Sequence, residues 1–223
     1  MRIIAIETAT LVGSIAIIDD ERVISELTLN VKATHSEKLM AAMNHLLSES
    51  GLTINDMDGI AVSIGPGSFT GLRIGLSTAK GLSYGSGKPL IGISTLDALA
   101  SNLPFSRYLV CPILDARKGE VYTAIYRKNE KVTDDMAVKP ASLIEMIKED
   151  TVFLGDGVSA YRNLLKEQLR DLYHEAPLPL QLPKASNVAM LALDRLRSND
   201  VDDPFALVPR YIRKSEAELK LKG

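Results

Sequence analysis

The stretch that most constrains this chain is Gly65-Pro66-Gly67-Ser68-Phe69-Thr70-Gly71-Leu72-Arg73-Ile74-Gly75, preceded by the apolar run Ile60, Ala61, Val62 and Ile64. An apolar run of strand character that stops at Gly-Pro-Gly and resumes with helical spacing reads as strand, tight turn, helix, with Ser68 or Thr70 as the cap. Inside that helix Gly71, Gly75, Ala79 and Ser83 recur every four residues and line one face with almost no side chain. Glycine in a helix interior costs about 1 kcal/mol relative to alanine, so the pattern requires close approach of another backbone. Two neighbours meet that requirement: the chain's own sheet, or a helix of a second subunit. Nucleotide loops are excluded here. Gly65, Gly67 and Gly71 leave one residue too many for Gly-x-Gly-x-x-Gly, and Gly81 to Gly87 is too long for a Walker loop, with Lys88 followed by Pro89.

The flanking sequence has a duplicated look. Residues 2–30 read as three strands: Ile3, Ile4 and Ile6 run into Glu7-Thr8-Ala9-Thr10, a second apolar run covers 13–18, and after the turn at Asp19-Asp20-Glu21 a third alternates. Thr34-His35-Ser36-Glu37 matches a capping box, and Leu39, Met40, Met43, Leu46 and Leu47 continue with helical spacing to Gly51. The polar segment around Pro104 marks a boundary, giving expected lobes at residues 1–103 and 104–223. Each half opens with an apolar strand running into an acid (Glu7, Asp115), then a loop with glycine (Gly13, Gly119), then a second strand. Each later carries a glycine pair between strand and helix, Gly65 and Gly67 in one, Gly155 and Gly157 in the other. This is a weak internal repeat of an α/β unit with a cleft between the copies. Beyond it, 158–173 reads as helix, the proline-studded 176–183 as neither regular helix nor central strand, and 187–197 as helix.

Composition limits the function. With 46% hydrophobic residues the chain can bury a sizeable core, and a formal charge of −2 gives no electrostatic reason for it to hold nucleic acid by itself. Cys111 is the single cysteine, inside an apolar run, so no internal disulfide forms and a buried thiol suited to a reducing cytoplasm is expected. Glu7 interrupts the N-terminal apolar run, which ends at Asp19-Asp20 without a cleavage signal, and no run is long enough to span a bilayer. The chain has neither His-Glu-x-x-His nor a nucleophile elbow, and position 39, one turn after His35, is Leu; no metal site and no catalytic residue are expected.

Four motifs, in the same order along nearly the whole chain, resemble the TsaB (YeaZ) family: Ile6-Glu-Thr-Ala-Thr10, the helix start His35-Ser-Glu37, the central 65–75 motif, and Pro209-Arg-Tyr-Ile-Arg213. The central motif is long and specific; the others support it. The resemblance implies an α/β fold of two ribonuclease-H-like lobes of the actin, Hsp70 and sugar-kinase superfamily, the second lobe reduced. It implies a non-catalytic, cytoplasmic subunit that pairs with TsaD and works with TsaE to form threonylcarbamoyladenosine on tRNA, meeting tRNA only within that complex. It further implies pairing with TsaD, or with a second copy, through N-terminal-lobe helices. The matching positions are His35, Leu39, Met43, Gly71, Leu72, Gly75, Ala79 and Ser83. Glu7, Thr8, Thr10, Asp115, Gly155 and Gly157 would form a weak nucleotide cleft. No cofactor is expected to bind tightly, and ATP or ADP only in complex with partners, because Asp156 sets a carboxylate between the second glycine pair. The competing expectation is a small ATPase or phosphotransferase of the same superfamily using that cleft.

Overall fold

The computed structural model describes residues 1–20, 22–29 and 35–213, and of residues 35–37 the backbone only. In chain order the elements are β1 (Ile3–Glu7), β2 (Gly13–Asp19), β3 (Arg22–Leu29), α1 (His35–Glu49), β4 (Gly59–Gly65), α2 (Phe69–Ser86), β5 (Leu90–Ser94) and α3 (Thr95–Ala100). There follow β6 (Leu109–Asp115), β7 (Val121–Thr123), β8 (Tyr126–Arg127), β9 (Glu130–Lys131), β10 (Met136–Val138) and α4 (Pro140–Met146). The chain closes with β11 (Thr151–Leu154), α5 (Asp156–Leu169), β12 (Tyr173–Glu175) and α6 (Ala185–Arg197). These elements form two compact units, one of Met1–Ala98 with Lys184–Arg210, the other of Leu99–Pro183 with residues 211–213.

The first unit holds a sheet of order β3-β2-β1-β4-β5, antiparallel across β3-β2-β1 and parallel across β1-β4-β5. β1 and β4 are covered on both faces, which is why they read as near-continuous apolar runs, broken only by Glu7 and Ser63, rather than as alternation. Successive side chains of β1 go to opposite sides. Ile4 and Ile6 pack with Leu39, Met43, Leu46, Leu76 and Ala79 of α1 and α2. Ile3 and Ala5 pack with Val188, Ala189, Ala192 and Leu193 of α6. On that second side small residues of the sheet (Ala5, Ala16, Ala61) meet small residues of the helix (Ala185, Ala189, Ala192), so helix and sheet approach closely.

The second unit repeats the scheme. Its sheet runs β10-β7-β6-β11-β12, antiparallel across the first three strands and parallel across the last three, with β8 and β9 as a side hairpin on β6. Order and directions match the first sheet strand for strand, so the repeat visible in the sequence is a repeat of topology. Phe153, Cys111, Ile113, Leu143 and Leu165 form its core. Burial pushes the Cys111 thiol up to about 12, with the Thr123 hydroxyl 3.3 Å away, so the sulfur is a packing group.

Two expectations need correction. The first unit ends at Ala98 rather than 103, and residues 184–210 belong to it, not to a C-terminal lobe of 104–223. The reason is non-local: the alanine-lined side of the first sheet is closed by α6, and the segment after α6 is sewn to the strand edge. There Asp202 N–H donates to Leu90 O at 2.9 Å, Gly92 N–H to Asp202 Oδ2 at 2.8 Å, and Arg210 N–H to Ile64 O at 2.7 Å. The helix expected over 158–173 instead starts at Asp156 and stops at Leu169; a 3-10 turn, Arg170–Leu172, then leads into β12, whose Tyr173 stacks on Phe153. The Thr34 cap lies outside the described residues.

Candidate functional site

Helix α2 is placed by its N-terminal junction. Gly65–Pro66 is cis, and Ser68, not Thr70, is the cap: its Oγ accepts from Gly71 N–H at 3.3 Å. The loop after β1 grips the same turn. Ala9 O accepts from Ser68 N–H at 2.7 Å, and Thr8 Oγ1 donates to Gly71 O at 2.8 Å. Gly87, in the left-handed region at φ 70°, ends the helix and returns its N–H to Ser83 O.

The glycine stripe therefore has an occupant, and it is the chain's own first strand and the loop that follows it. A Cβ on Gly71 would stand 2.0 Å from Thr8 O, and one on Gly75 2.2 Å from Thr8 Oγ1. Ala79 and Leu72 are buried, and Ser83 donates to Lys88 O at 2.6 Å. Leu39 and Met43 of α1 lie in the same core. Leu39, Met43, Gly71, Leu72, Gly75, Ala79 and Ser83, all expected at a partner interface, thus face inward. The physical reason is the width of the helix: residues four apart share a face, and the flanking Leu72 and Leu76 turn this face to the sheet. The His35 side chain lies outside the described residues.

The opposite side of α2 carries a second small-residue series, Ser77, Gly81 and Gly85, also spaced by four. Ser77, Gly81 and Gly85 are exposed, and nothing lies within 4 Å of a Cβ added to either glycine. Arg73 flanks it at one end; at the other Tyr84 stands 78% exposed and edge-on to Phe205, itself 80% exposed, with ring centroids 6.2 Å apart. Met40, Ala41 and Asn44 are among the exposed residues of α1. Sequence reading missed this side because two series of period four run along one helix. The signal that separates them is the polar company of the second, Arg73, Ser77 and Tyr84, against the leucines of the first.

The residues expected at a nucleotide cleft are divided between the two units. In the first, Glu7 is fully buried: Ala9 N–H donates to its Oε1 at 2.6 Å and the Ser63 hydroxyl donates to Oε2. Burial, only partly offset by those two bonds, pushes its carboxyl up to about 7. The Thr8 hydroxyl is engaged with Gly71 O, and Thr10 Oγ1 closes a local turn, accepting from Val12 N–H at 3.2 Å. In the second unit Asp115 accepts from Arg117 N–H at 2.8 Å and faces its guanidinium, while Asp156 Oδ1 accepts from Asp115 N–H at 3.0 Å. Burial is the largest cause of the raised Asp156 carboxyl. Gly155 and Gly157 are bare because β6 passes over them; a Cβ on Gly155 would meet Ile113 O at 2.2 Å, and one on Gly157 the same oxygen at 3.0 Å. The space beside those glycines is taken by the β6 backbone, and Gly155 also sits at φ 112°, a conformation that favours glycine. Among the described residues no group of three or more His, Cys, Asp or Glu side chains is arranged to hold a metal ion, and no helix is long and apolar enough to cross a membrane.

A TsaD family model, described as tRNA N6-adenosine threonylcarbamoyltransferase, matches residues 22–221. The tRNA threonylcarbamoyladenosine biosynthesis protein TsaB of Bacillus subtilis is 35% identical over 99% of this chain and 97% of its own length. The chain belongs to the TsaB family. TsaB of Escherichia coli is 32% identical over 100% of the chain and 99% of its own length. YeaZ from Pseudomonas aeruginosa superimposes with a TM-score of 0.79 at 24% identity, covering 94% of this chain and 100% of that one. More distant folds include the activator of 2-hydroxyisocaproyl-CoA dehydratase from Clostridium difficile (TM-score 0.58, 12% identity, 91% and 99% coverage) and a ROK hexokinase from Thermus thermophilus (0.51, 12%, 87% and 99%). The fold is α/β and ribonuclease-H-like, as in those structures, and this TsaB relative is a protein of tRNA threonylcarbamoyladenosine biosynthesis.

Proposed function

We propose that the chain is a non-catalytic subunit that docks on TsaD through the outward side of α2 and the adjoining exposed residues of α1, and supports threonylcarbamoyl transfer to tRNA together with TsaE in the cytoplasm. The observation that carries this reading is the bare series Ser77, Gly81 and Gly85, which lets a foreign helix backbone come as close as β1 comes on the inner side. The engagement of Glu7 with Ser63 and Ala9, and of Thr8 with Gly71, supports the absence of independent chemistry in the first unit. A second copy takes the same surface when TsaD is absent. ATP or ADP binds only where partners complete the site, and tRNA is met only in the assembly.

The test is association of the purified chain with TsaD by calorimetry, for wild type and Gly81→Leu. Bulk at Gly81 should weaken binding about a hundredfold, on the scale of an interface hot spot, with the fold intact. Undiminished binding would remove this surface from the reading, and tight Mg-ATP binding by the isolated chain would favour the phosphotransferase alternative instead.

A further inference from the structure

The two outer strands of the first sheet are guarded differently against pairing with another chain. β3, on one side, carries Arg22 and Glu26 and leaves Arg22, Val23, Glu26 and Thr28 exposed. β5, on the other, reads Leu-Ile-Gly-Ile-Ser, has no charged side chain and is buried throughout. An uncharged, isoleucine-rich edge invites a strand of a second chain, so its protection has to come from outside the strand. Pro89 O accepts from Ile60 N–H, and alternation then turns the backbone groups of Leu90 and Gly92 away from β4. Leu90 O takes the Asp202 N–H in an isolated antiparallel bridge, after which the chain turns at Asp203, whose carboxylate takes the Phe205 N–H. Gly92 is met by side chains instead. Its N–H donates to Asp202 Oδ2 at 2.8 Å, Arg195 Nη1 donates to its O at 2.8 Å, and the same Nη1 donates to that Oδ2 at 3.2 Å. Asp200 fixes the guanidinium from the other side, accepting from Nε at 2.6 Å and from Nη2 at 3.0 Å.

From this geometry we infer that Arg195 and Asp202 form an ionic clasp that imitates one residue of a further strand and keeps the β5 edge from pairing with β5 of a second copy of this chain. One acceptor and one donor, bonded to each other, stand where the C=O and N–H of a residue in a neighbouring antiparallel strand would stand. The ion pair fits that place better than a neutral pair, because its hydrogen bonds to the Gly92 peptide groups are charge-assisted. A second copy is the matching occupant because Gly92 is the middle residue of β5. In an antiparallel pair of identical strands related by a two-fold axis, the central residue faces itself. Each Gly92 N–H would then meet the other Gly92 O, so one pairing satisfies every group the clasp releases. Leu207 closes the face of the same position: a Cβ on Gly92 would stand 3.2 Å from Leu207 Cδ1. The segment after α6 thus occupies both the edge and the face of β5, and the clasp is its charged end.

Hydrogen exchange of the Gly92 amide, read beside sedimentation over a range of protein concentrations, tests the clasp. The Gly81→Leu background is used throughout, so that pairing of copies through the outward side of α2 does not contribute. In dilute Asp202→Ala the protection of Gly92 should fall about tenfold or more, the scale of one hydrogen bond to a charged group. Ile91, whose backbone faces β4, should keep its protection. As concentration rises the variant should sediment as a dimer and the Gly92 amide should become protected again, whereas the parent stays protected and does not change size. Arg195→Met keeps the length of the stem without the guanidinium and should associate in the same way. Arg195→Lys, which keeps the charge but cannot bond Gly92 O and Asp200 together, serves if Arg195→Met does not fold; Asp202→Asn serves likewise for Asp202→Ala, with a smaller fall. Unchanged Gly92 protection in the variants would overturn the clasp. So would protection that falls and never returns in a chain that stays monomeric, since the edge would then need no guard. Exchange at Gly92 does not report whether TsaD sits on the outward side of α2, so the two inferences fail separately.

Discussion

The two sides of α2 carry nearly the same residues and do opposite things. Inside, Gly71, Gly75, Ala79 and Ser83 are small because β1 and its loop occupy the space; outside, Ser77, Gly81 and Gly85 are small and exposed, with open space beside both glycines. A period of four alone does not say which neighbour is meant. What distinguishes the two is where the bulk around them sits, leucine beside the first and arginine and tyrosine beside the second. Contact within the chain has taken one series, and only the other is open to a partner.

The contrast can be broken most forcefully on the inner side. Gly71→Ala puts a methyl 2.0 Å from a backbone carbonyl that is itself held in place, and should cost about 3 kcal/mol or more in urea denaturation; a loss under about 1 kcal/mol would mean that Thr8 yields and the packing is loose. The outer counterpart, Gly81→Leu, should change stability in the other direction, by about 0.5–1 kcal/mol in favour of folding, since leucine is the better helix former and meets no obstacle. Its damage should appear only in association with TsaD. If it unfolded the chain, the two sides would not differ as described. Ser83→Ala sharpens the inner side, because it removes the hydroxyl that donates to the Lys88 carbonyl and should cost about 1 kcal/mol by thermal melting. Tyr84→Ala is the mildest, losing one exposed edge-to-face contact with Phe205 and no more than about 0.5 kcal/mol; a larger loss would show that the ring helps hold the segment after α6.

Much of this was legible from the sequence where the cause is local. The strand, turn and helix at 59–86, the start of α1 at His35, the duplicated order of the two units and the buried state of Cys111 follow from periodicity, capping residues and apolar runs. What escaped depends on distant partners. Glu7 marks the end of a strand, but that its carboxyl would be sealed under Ser63, 56 residues later, is not written near either residue. The phase of α2 needed knowledge of which side the sheet lay on. α6 reads as an amphipathic helix in isolation, and its destination is set by alanines of β1, β2 and β4 that it meets only in three dimensions. β12 was hidden because a helical pattern ran into it through a 3-10 turn.

The return of α6 to the first sheet has a consequence for biosynthesis. A ribosome emits the N-terminal sheet early but supplies the helix that closes its alanine-lined side only after the whole intervening unit has been made. Over that interval Ile3, Ile18 and Ile91 lack the cover of α6 and are open to any apolar surface in reach. A stop codon ahead of Ala185 is therefore, physically, a lesion of the amino-terminal half.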